Sequence, residues 1–188
     1  GQYDFTIDFT MTPAWPLALP TITDVDDPSQ GAQMEADGAH LDGITKENPY
    51  SGPVPVASEL DAGTPELLAV TVAKYSDKET KTLDYDSART LEMGREVVKS
   101  GDGPTDYTVS FTPEDAGEYV LFGWWQHPSG NQKYGNYQLD HFGRAGAQAL
   151  IDYWENNLLP YYGEDFKNAS ALFIDSLEFE THLDWTIG

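Results

Sequence analysis

The residues with the clearest capacity for chemistry sit where an apolar run breaks into carboxylates. Ala171-Leu172-Phe173-Ile174 leads into Asp175, Glu178 and Glu180, with Asp184 close behind. A short apolar run, bounded on its other side by polar Lys167-Asn168-Ala169-Ser170, reads as a buried strand delivering acid side chains into a loop. Glycoside hydrolysis uses such groups. One carboxyl protonates the departing oxygen while a second, across the sugar, acts as base or nucleophile. Asp175, Glu178, Glu180 and Asp184 are the candidates. Glu178 is favoured as general acid because it lies just past the strand, and Asp175 at the strand terminus has a supporting place. Glu180 and Asp184 read equally as surface charge. An amphipathic edge strand with a solvated acidic end fits the same residues.

Other chemistries find less support. His127, His141 and His182 share no metal-ligand spacing, and His40 lies in a stretch without pattern, so a zinc site is not expected. Asp24 to Glu35 has the length of a calcium loop, but Pro28 stands where an oxygen ligand is needed and Ser29 where a glycine is. The chain has no glycine-rich phosphate loop and no nucleophile elbow. Asn168-Ala169-Ser170 is a glycosylation sequon, meaningful only in a secreted eukaryotic protein.

Composition narrows the partners. Thirty-two acidic against 10 basic residues give a net charge of -22 over 188 residues. Such a surface repels nucleic acid and anionic lipid and suits neutral substrates, cations or a salty environment. No cysteine is present, so disulfides and thiolate metal sites are excluded. No apolar run has the length of a membrane span, and the first residues do not pair a basic n-region with an apolar h-region. The first residue is Gly1, so a mature or internal piece is expected, with any targeting signal lost upstream. The expected location is secreted, periplasmic or cell-surface.

The elements that must position these groups fall into three parts, 1–23, 24–112 and 113–188. Tyr3, Phe5, Ile7 and Phe9 alternate with polar residues as in a strand, which runs into a loop containing Pro13, Pro16 and Pro20. Trp15 in that rigid loop is a candidate sugar platform, and Trp125 and Asp140 are further candidate sugar contacts. Residues 24–65 are rich in Asp, Gly, Pro and Ser and read as a long connection. Four runs then carry β patterns: Leu67 to Tyr75, Lys81 to Tyr85, Tyr107 to Phe111 and Glu118 to Trp125. Their spacing argues for a small antiparallel sheet or sandwich, and Asp115-Ala116-Gly117-Glu118-Tyr119 resembles the turn before a tyrosine-corner strand of immunoglobulin-like domains. After Trp125 the class changes. Asp140 is an expected N-cap, apolar residues recur at helical spacing from His141 to Leu159, and Pro160 is expected to end the helix. Strand, helix and the strand at Ala171 make a βαβ unit, so the strand around Val120 to Trp124 and that at Ala171 to Asp175 are expected to be parallel.

Phe173-Ile174-Asp175-Ser176-Leu177-Glu178 followed by Asp184-Trp185-Thr186 resembles a barrel-strand motif of glycoside hydrolase family 106, the α-L-rhamnosidases, with Leu177 in place of the usual tryptophan. Tyr3-Asp4-Phe5-Thr6 with Trp15-Pro16 and Pro20 is similar to that family's early strand and loop, although Thr12, Ala14, Ala18 and Leu19 replace its glycines. Leu139-Asp140-His141-Phe142 is similar to the segment opening the helix before the motif strand. The resemblance implies an α/β fold, a partial (β/α)8 TIM-barrel-like piece with a β-rich insertion. It implies inverting hydrolysis of terminal α-L-rhamnosides in oligosaccharides or glycosides, with Glu178 as general acid, Trp15 as a sugar contact and calcium at the sugar hydroxyls. The second carboxylate and the rest of the barrel would follow Gly188, so the 188-residue chain alone is expected to be inactive. The rival expectation is a non-catalytic carbohydrate-binding or adhesion module built on the β-rich middle.

Overall fold

The computed structural model describes residues 19–133, 135–164 and 184–187. The chain divides into a continuous unit, Met34–His127, and a discontinuous one made of the segments before and after it.

The continuous unit is an antiparallel β-sandwich. Its strands are β1 (Ala32–Ile44), β2 (Tyr50–Pro53), β3 (Glu66–Asp77), β4 (Thr82–Thr90), β5 (Val97–Lys99), β6 (Tyr107–Phe111) and β7 (Gly117–Pro128). One sheet has the order β1-β7-β3-β4 and the other β2-β6-β5. Alternation builds the core. Along β3, Val70 and Val72 turn inward, and in register with them on β7 come Gly123 and the inward-facing Leu121. Leu41, Val70, Val72 and Leu121 from the first sheet meet Val97, Val109 and Phe111 from the second in a single cluster. Both sheets therefore share one interior, which neither could close alone.

Two local devices fix this arrangement. Where the chain crosses from β6 to β7, the Tyr119 hydroxyl donates to the Asp115 carbonyl at 2.7 Å. This is a tyrosine corner, which ties the start of a strand to the turn before it. Trp125, fully buried, donates its indole N–H to the Pro55 carbonyl at 2.8 Å. Gly123 is needed for that approach, because a Cβ there would lie 2.1 Å from the Pro55 oxygen. The corner is of the kind that immunoglobulin-like domains also carry, and in this sandwich β1 lies beside β7. Gly38 lies against Val120 and Phe122, and His40 against Glu118, so β1 and β7 run antiparallel. The unit is thus entered and left by neighbouring strands at one edge.

In the discontinuous unit, Gln30 bridges Leu139, and the Gly31 amide donates to Gln138 and the Asp140 amide to Ser29. A short hairpin pairs β8 (Gln132–Lys133) with β9 (Asn136–Tyr137), and β10 (Asp184–Trp185) pairs antiparallel with Ala32 and Gln33. Helix α1 spans Arg144–Tyr153 and passes through a π-helical turn, Trp154–Leu158, into α2, Leu159–Tyr162.

The (β/α)8 TIM-barrel expectation is overturned. The named strand pairings are antiparallel, and β3 returns as β4 through a short turn around Lys78–Lys81, with no room for the crossover helix that parallel neighbours need. β7 lies between β1 and β3, so both its edges are occupied and no parallel partner can join Val120 to Trp124. The helix exists, but it starts at Arg144 rather than His141, with Gly143 at its N-cap. Pro160 does not end it: it occupies the first turn of α2, where a missing N–H is tolerated. The expected strand at Ala171 to Asp175 lies outside the described residues.

Candidate functional site

The sandwich brings one group of titratable side chains together on its surface. His40 and Asp42 are two residues apart on β1 and share a face of that strand. Glu118 stands opposite on β7, and Lys78 reaches over from the turn after β3. His40 Nε2 lies 2.7 Å from Asp42 Oδ1 and 3.0 Å from Glu118 Oε2. Both are carboxylate oxygens, which accept only, so Nε2 carries the proton. Lys78 Nζ pairs with Asp42 and, at 3.0 Å, with Glu118. The His40 ring packs on Tyr75 with centroids 5.2 Å apart.

These contacts decide what the group can do. The Lys78 ammonium, followed by contacts with Glu118 and His40, holds Asp42 well below the usual carboxylate range. Asp42, and next Glu118, in turn raise Lys78. A carboxyl that stays ionised at any ordinary pH cannot donate a proton, so Asp42 is unsuited to general acid catalysis. Among the described residues, His40, Asp42 and Glu118 are the His, Asp and Glu group whose ligand atoms converge closely enough for a metal ion. They do not fit calcium, which takes six to eight oxygens, and the Lys78 ammonium already lies on both carboxylates. The arrangement is an ion-paired network joining β1, β7 and the β3–β4 turn.

The residues expected to act on a sugar are dispersed. Trp15, Asp175 and Glu178 lie outside the described residues. Trp125 is corrected from a sugar contact to a core residue: it is wholly buried, its N–H is used by Pro55, and Tyr107 packs edge-on at 6.1 Å. Asp140 is corrected likewise. It is 3% exposed, its Oδ1 accepts from the Phe142 and Gly143 amides at 2.8 and 3.1 Å, and its Oδ2 accepts from the Thr186 hydroxyl at 2.6 Å. Gly143 and Gly146 pack against it so closely that a Cβ at either would collide with Asp140 atoms. Asp140 therefore organises the approach to α1 and anchors Thr186, and its oxygens face protein donors. Of the histidines, His127 is buried, and burial pushes His141 below its usual value, partly offset by Asp140.

His40, Asp42 and Glu118 were missed as a group because β1 has no clear strand pattern. The available signal was the His-x-Asp spacing, which puts both side chains on one face if the segment is extended. Comparisons with protein-family models, with curated proteins and with solved structures gave no match.

Proposed function

We propose that the protein acts on neutral glycosides through the segments flanking the sandwich and carries Met34–His127 as a non-catalytic insert. The observation that carries the division is the layout of the sandwich. It has its own closed core, its entry and exit strands are neighbours, and its convergent acid and histidine group is tied up by Lys78.

The glycoside reading is supported by residues outside the sandwich, Asp175 and Glu178, and by their resemblance to the α-L-rhamnosidase motif. In this proposal the Glu178 carboxyl gives its proton to the glycosidic oxygen as the bond to the anomeric carbon breaks. Water adds from the opposite face and loses its proton to a second carboxylate, inverting the configuration. The rate gained from such a general acid is about 10²- to 10⁴-fold, and largest for a poor leaving group.

The test is kcat/KM of the full-length protein on an alkyl and a nitrophenyl α-L-rhamnoside. Glu178→Gln should depress the alkyl substrate far more than the nitrophenyl one, whereas His40→Ala and Glu118→Gln should leave both unchanged. Absence of rhamnose release by the wild type, or its loss on His40→Ala or Glu118→Gln, overturns the proposal.

A further inference from the structure

We draw no further inference here: the strongest candidate, the His40, Asp42 and Glu118 cluster where β1 and β7 meet the β3–β4 turn, belongs to the site already described, where the Lys78 ammonium lies on both carboxylates and nothing among the described residues points to a ligand in its place.

Discussion

Glu96→Gln tests how the two sheets are fastened. Arg89 at the end of β4 meets Glu96, just before β5, through two parallel contacts of 3.0 and 2.8 Å, and the guanidinium also lies 5.4 Å from the centroid of the Phe111 ring. Glu96 Oε2 accepts the Glu92 amide at 2.9 Å as well. The Arg89 guanidinium, with smaller help from the Glu92 amide and Arg95, holds the Glu96 carboxyl at about 2 against an ordinary 4.5. Taken at face value, a shift of that size corresponds to roughly 3 kcal/mol. The Glu96 side chain is 16% exposed but Arg89 is 43% exposed, so water screens the pair and about 1 kcal/mol is the better figure. Glutamine keeps the bond from Glu92 and loses the charge. Urea unfolding followed by tryptophan fluorescence should therefore show Glu96→Gln less stable by about 1 kcal/mol at pH 7. Because the folded-state value is depressed, this contribution is complete above pH 4.5 and is lost as pH falls toward 2. The gap between wild type and variant should shrink over that window. A gap of the same size at pH 3 and pH 7 would refute the electrostatic account and assign the loss to packing.

Tyr119→Phe removes the corner bond to Asp115 and should lower stability by about 1–2 kcal/mol, read as a fall in the urea midpoint at unchanged slope. Asp140→Ala should speed amide exchange at Phe142 and Gly143 and loosen the segment at Thr186, measured by hydrogen exchange, while the tryptophan signal of the sandwich stays put. Lys78→Ala should return the Asp42 carboxyl upward toward the ordinary carboxylate range in a carbon-detected NMR titration; no movement would mean that the ammonium is not the group that depresses it.

Much of the sandwich was legible. The runs at Leu67, Lys81, Tyr107 and Glu118 coincide with β3, β4, β6 and β7, because β-branched and aromatic residues alternate there with polar ones. β1 was not. It carries Ala32, Ala36, Ala39, Gly38 and Gly43, and at Gly38 the small residue exists to receive the Phe122 ring, so its pattern makes sense only beside its neighbour. The larger error came from the segment after Trp125. A genuine helix there suggested βαβ winding, although Asp115 to Tyr119 had already signalled a cross-sheet corner. That corner also sets the phase of β7. With Tyr119 inward, Trp125 must be inward too, which alone would have removed it from the candidate sugar contacts. Asp140 has the residue type of a ligand-binding group, but nothing local shows that Thr186, far along the chain, takes its second oxygen.

The order of synthesis gives the position of β7 a kinetic meaning. It is the last strand of the sandwich to leave the ribosome, yet it lies between the first and the third. Until it arrives, β1 and β3 have no shared neighbour, their facing edges are unpaired, and the core lacks Tyr119, Leu121 and Trp125. Nascent chains that stop short of Gly117 therefore expose strand edges of the kind that aggregate. The sheet cannot grow outward from its beginning; it closes in one late, long-range step, with the slow folding expected of contacts so distant in sequence.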